Sequence, residues 1–176
     1  MLPHQGPNGG ARAATAAVVL SLPMIVALAG FTVDDALVIA RYARSLALGD
    51  GYRPSPGAAI SDGVTPLGFA HALAPFALAG TAAAHEAARI VGVAAWLAGL
   101  WLLARAVARL PGRRARFAAL ALVALSAPVA GWAVAGLETG VVAALVAIAL
   151  ARIEAGGSLR GAAVIGIAAA MRPEVL

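Results

Sequence analysis

The chain has 176 residues, of which 62% are hydrophobic and 12% charged, and its mean hydropathy is +0.90. Soluble domains carry about 45–50% apolar and about 25% charged residues, so this composition makes lipid the main solvent. The formal charge is +5 with every basic residue an Arg, but no dense basic run with interleaved aromatics exists, which argues for membrane-flanking charges and against a nucleic-acid partner.

Residues 1–12 are polar and rich in Gly and Pro, and read as a disordered cytoplasmic tail. Residues 13–33 carry no charge over 21 positions, enough to span about 30 Å at about 1.5 Å per residue. Ala27-Leu28-Ala29 has the small-residue pattern of a signal-peptide cleavage site. The apolar segments that follow favour a retained first span. Residues 34–48 combine good helix formers with charges and end at Gly49. They predict an amphipathic helix at the membrane surface. It lies within a first external loop, 34–65, whose second half is rich in turn residues. Further apolar stretches cover 63–85, 90–104, 117–137, 139–151 and 161–171. The expectation is an all-α, polytopic bundle of about six spans over 13–176. The chain stops inside apolar sequence at Met171–Leu176, which reads as the N-terminal part of a longer protein.

Arg12, the cluster from Arg105 to Arg116, and the turn from Arg152 to Arg160 belong on the cytoplasmic side by the positive-inside rule. Residues 66–104 must then cross an odd number of times, whereas their length suggests two crossings. A single crossing beside a tilted or re-entrant segment around Pro75 resolves the conflict. So does an Arg cluster that faces outside.

Asp34 and Asp35 directly follow the first span. Two adjacent carboxylates at an interface suit acid–base chemistry. They equally suit the start of a helix. On the helix behind them Asp34, Val38, Arg41 and Ser45 form one stripe, and Asp35, Ile39, Tyr42 and Leu46 the next. Arg41 or Arg44 can receive a phosphate through a forked contact, or reach lipid headgroups. Glu138 sits between two apolar segments, and Arg172-Pro173-Glu174 breaks another; such charges at membrane depth tend to be functional. His4, His71 and His85 lack metal-ligand spacing. There is no cysteine, and no Ser-nucleophile motif, P-loop or dinucleotide fingerprint.

The run from Asp34-Asp35 through Arg41-Tyr42-Ala43-Arg44 to Gly49-Asp50-Gly51 resembles the first external loop of GT-C-fold, polyprenyl-phosphate-dependent glycosyltransferases. Terminal arabinofuranosyltransferases, and mannosyltransferase-like relatives, are the nearest match. Pro54-Ser55-Pro56-Gly57 and Ser61-Asp62-Gly63-Val64-Thr65-Pro66-Leu67-Gly68 are similar to the family's next element. Gly136-Leu137-Glu138-Thr139 and Met171-Arg172-Pro173-Glu174 are similar to two further ones. Asp62 stands where the family has Glu, Val64 where it has Tyr, and Gly68 where it has a bulky aromatic.

The resemblance implies a sugar donor linked to polyprenyl phosphate, an extracytoplasmic cell-envelope glycan or glycoprotein acceptor, and inversion at the anomeric carbon. It implies a plasma-membrane enzyme whose site faces outside. Asp34 or Asp35 is then the base, with the other binding substrate or a divalent cation. Arg41, Tyr42, Arg44, Asp62, Thr65, Glu138, Arg172 and Glu174 are the candidate substrate- and phosphate-binding residues. Two other readings stand beside it: a non-catalytic transporter subunit or assembly factor, and an inactive truncated relative.

Overall fold

Inside a bilayer an Ala-, Val- and Leu-rich backbone has only itself to hydrogen-bond, and helices are the outcome. The structure is a computed structural model that describes residues 7–61, 63–108 and 112–172. It holds eight helical segments and no strand among the described residues: α1 (Pro7–Ala27), α2 (Asp34–Ala47), α3 (Leu67–Ala77), α4 (Thr81–Val107), α5 (Arg113–Ala124), α6 (Ala127–Ala135), α7 (Thr139–Glu154) and α8 (Ser158–Met171). The chain is a helical membrane bundle. Helix α1, helix α4 and the joined α5–α6 segment are each long and apolar enough to cross a membrane. Only 17% of the α1 span and 28% of the α4 span are buried inside the bundle, so the apolar outer faces have lipid as their solvent.

Helix α1 starts at Pro7, inside the segment expected to be a disordered tail. Proline is well placed in a first helical turn, and the Ala-rich run behind it carries the helix. The break between α5 and α6 falls at Leu125–Ser126, with Pro128 in the first turn of α6.

Helix α4 is central and packs on α1, α2, α3, α5, α6 and α7. It runs antiparallel to α1: Ala14 and Ala17 share a core with Trp96, Leu100 and Ala104, while Ile25 and Ala29 lie beside Arg89 and Ile90. It runs parallel to α7. A Cβ at Gly140 would overlap the Gly92 carbonyl, and one at Gly99 would stand 2.8 Å from the Ala144 Cα. Those glycines let the two backbones touch, the usual device where apolar burial gives helices no drive to associate. Helix α8 then returns antiparallel to α7, and Arg172 reaches Glu138.

Five segments therefore run between the same two ends: α1, α4, α5–α6, α7 and α8. The sequence expectation of about six spans counted 63–85 as a crossing. Helix α3 has only 11 residues, about 16 Å of helix. It packs against α2, α4 and α8 at one end of the bundle, so within 66–104 α4 is the helix long and apolar enough to cross a membrane. Charge divides accordingly. Arg12, Arg105, Arg113, Arg114, Arg116, Arg152 and Arg160 lie at the far end with only Glu154 as a described acid. The α2–α3 end mixes described Arg residues with Asp34, Asp35, Asp50, Glu86 and Glu138.

Candidate functional site

The α2 helix begins without a side-chain cap. Val33 is the N-cap residue, extended at φ −132°, and Asp34 and Asp35 fill the first turn, where carboxylates complement the helix dipole. The two are not equivalent. Asp34 Oδ1 accepts the Asp35 backbone N–H at 3.1 Å, so it satisfies a free donor of the helix start. Each residue turns the helix by about 100°. Asp35 thus falls in line with Ile39 and Tyr42, which are buried at 3% and 1% exposure. Asp35, Val38 and Ile39 form one wall of a cleft of about 160 Å³.

The second wall is the segment Gly63–Pro66. Tyr42, a candidate substrate ligand in the sequence, holds this wall from behind. Its hydroxyl donates to Ser61 Oγ at 3.2 Å, and Ser61 Oγ also accepts the Gly63 N–H at 3.2 Å. A Cβ at Gly63 would stand 3.0 Å from the Tyr42 hydroxyl. The rest of the loop is tied down as well. Arg53 donates to the Asp50 and Ala58 carbonyls, and Tyr52 meets His71 Nε2 at 3.2 Å.

The floor is Leu137, Glu138 and Arg172. The α6–α7 turn depends on Gly136, which ends α6 in the left-handed region at φ 90°. Its neighbours are close as well, since a Cβ would lie 3.2 Å from side-chain atoms of His85 and Arg89. This turn delivers Glu138 to the N-cap position of α7 at 3% exposure. A carboxylate buried that deeply needs a cation. Arg172 Nη1 supplies it at 2.9 Å while its side chain keeps 44% exposure.

Of the residues singled out in the sequence, the structure brings Asp35, Thr65, Glu138 and Arg172 to this cleft. Asp34 is exposed beside it, and Arg41 is exposed on the outer face of α2. Arg44 turns away: its Nη1 donates to the Ala77 and Leu78 carbonyls at 2.6 and 3.0 Å, closing the C-terminus of α3. Asp62 and Glu174 lie outside the described residues. Among the described residues no group of three or more His, Asp or Glu is placed to hold a metal ion.

Sequence reasoning passed over Gly68 as a positioning residue. Its Cα lies so close to α8 that a Cβ would overlap the Ala170 carbonyl, with the carbonyl carbon at 2.9 Å. The signal in the sequence is a glycine inside an apolar helix, where it lowers helix propensity and allows close backbone approach. Chemically, the cleft offers a carboxylate on one wall and a guanidinium fixed by a buried carboxylate on the floor. That pairing suits general-base catalysis beside an anionic leaving group. Comparison with protein-family models, with curated proteins and with solved structures returned no match.

Proposed function

We propose that this protein is a GT-C-type membrane glycosyltransferase that moves a sugar from a polyprenyl-phosphate donor to a cell-envelope acceptor. One observation carries the reading. Asp35, Thr65, Glu138 and Arg172 come from four separate motif-like segments of the chain and line one cleft. In this reading Asp35 takes the proton of the acceptor hydroxyl. The hydroxyl oxygen forms its bond to the anomeric carbon as the carbon–oxygen bond to phosphate breaks, with inversion. The electron pair leaves with polyprenyl phosphate, whose charge Arg172 balances. Asp34 shapes the start of α2, and Glu138 orients Arg172. A divalent cation in this reading would be held by Asp34 or Asp35.

Orientation belongs to the same proposal. The Arg-rich end faces the cytoplasm and the cleft faces outside, as the positive-inside rule requires of so uneven a distribution. A donor carried by membrane lipid then reaches the cleft without any soluble nucleotide-sugar site.

The test uses full-length protein in proteoliposomes supplied with a radiolabelled polyprenyl-phosphate sugar and an envelope glycan acceptor. Transfer from the polyprenyl donor and none from a nucleotide sugar is the expected result. Transfer from the nucleotide sugar alone, or from neither across a panel of pentose and hexose donors, contradicts the proposal.

A further inference from the structure

A second concavity lies on the lipid-facing surface between α1 and α4, beside Val134 of α6. It measures about 460 Å³ and its walls include Ile25, Ala29, Ile90, Ala94 and Leu97. Ala29 and Ala94 are exposed at its surface. At its head stand Glu86 and Arg89, paired at 3.2 Å with side chains 59% and 27% exposed. Arg89 is held in place, because its Nε also donates to the Val134 carbonyl at 3.0 Å.

Three features point to one occupant. From Glu86 to Leu97 the groove follows eleven residue steps of α4, about 16 Å at about 1.5 Å each. That is close to half of a hydrocarbon core about 30 Å thick, or one leaflet. The groove is open along its length and lined mainly by aliphatic side chains, which gives a single acyl chain a surface to lie on. Its head presents a carboxylate and a guanidinium side by side, which complements a headgroup carrying both charges. A purely anionic headgroup would set its phosphate against Glu86.

We propose that this groove is a binding site for one zwitterionic phospholipid of the leaflet nearest the cleft, for which phosphatidylethanolamine is the probe. One acyl chain lies along Ile90, Ala94 and Leu97. The lipid phosphate meets Arg89, and the cationic end of the headgroup meets Glu86. The inference does not depend on glycosyl transfer and stands or falls by lipid binding alone.

The test places the full chain in vesicles of equimolar phosphatidylethanolamine and phosphatidylglycerol, extracts it in mild detergent, and quantifies retained lipid by mass spectrometry. Phosphatidylethanolamine should be enriched about threefold to fivefold, the scale set by an exposed charge pair. Glu86→Gln should return the ratio to that of the vesicles. Ala94→Phe and Ala29→Phe block the groove from opposite walls and should remove retained lipid of both kinds, with helical circular dichroism unchanged. Retention in the bulk ratio, enrichment of phosphatidylglycerol, or undiminished retention in both folded Phe variants overturns the proposal and leaves an annular lipid only.

Discussion

Replacing Gly68 with Ala tests how the cleft floor is held. The added Cβ meets the Ala170 carbonyl and lies 2.9 Å from its carbon and 3.3 Å from the Met171 nitrogen. Both are backbone atoms, so no side chain can swing aside. Relief needs α3 and the end of α8 to separate by on the order of 1 Å. Overpacking of this kind costs about 1–3 kcal/mol. Gly166 on the same helix has nothing within 4 Å of a built Cβ. There the same substitution only improves helix propensity and should stabilise by up to about 1 kcal/mol. Unfolding in mixed micelles of increasing denaturing detergent, followed by circular dichroism, reads both. The expected result is opposite signs for the two variants. Because Arg172 follows directly after α8, Gly68→Ala should also slow turnover by up to about a hundredfold, the loss a 1 Å misplacement can cause. A Gly68→Ala protein as stable as the parent would refute the described contact between α3 and α8.

Three further outcomes are expected. Glu138→Ala removes the partner of Arg172 and should destabilise by about 1–3 kcal/mol; Arg172→Ala should cost less in the Glu138→Ala background than in the parent, a coupling that a double-mutant cycle measures directly. Tyr42→Phe removes the hydroxyl that holds Ser61 and should cost about 0.5–1.5 kcal/mol, read as faster hydrogen exchange at residues 61–65 with the far end of the bundle unchanged. The chain has no cysteine, so single-cysteine labelling reads orientation cleanly: an impermeant maleimide added to intact cells should label Asp50→Cys and spare Ser158→Cys, and the reverse pattern would invert the proposed topology.

The membrane bundle was legible in the sequence because hydropathy alone decides it. The start of α2 at Asp34 and its end before Gly49 were legible too, since charge, helix formers and glycine coincide there. The path of residues 66–104 was not. Apolar composition does not separate a crossing helix from a short one packed on neighbours, and α3 is of the second kind. The Arg distribution asked for an odd number of crossings there, and α4 is the one helix of this stretch long enough to supply one. At the site, which of Asp34 and Asp35 lines the cleft was hidden, because that depends on which stripe of α2 meets Phe69 and Leu73 in the core. Arg44 drew attention as a phosphate ligand and turned out to close α3, a partner 33 residues away that no local pattern announces. The Glu138–Arg172 pair was hidden for the same reason. Glu138 looked like an isolated charge and Arg172 was read with Glu174, and only the return of α8 alongside α7 joins Glu138 to Arg172.

The central claim is that Asp35, and not its neighbour, is the base in the cleft. The most direct measurement compares glycosyl transfer from a polyprenyl-phosphate sugar by the parent, Asp34→Asn and Asp35→Asn proteins in proteoliposomes, each verified as folded. Asp35→Asn should lose about 10²–10⁴-fold in turnover, the usual contribution of general-base catalysis, with donor affinity retained. Asp34→Asn keeps an acceptor oxygen for the Asp35 N–H and should stay within a few-fold of the parent. An Asp35→Asn protein with full turnover, or equal losses in both variants, would contradict the account.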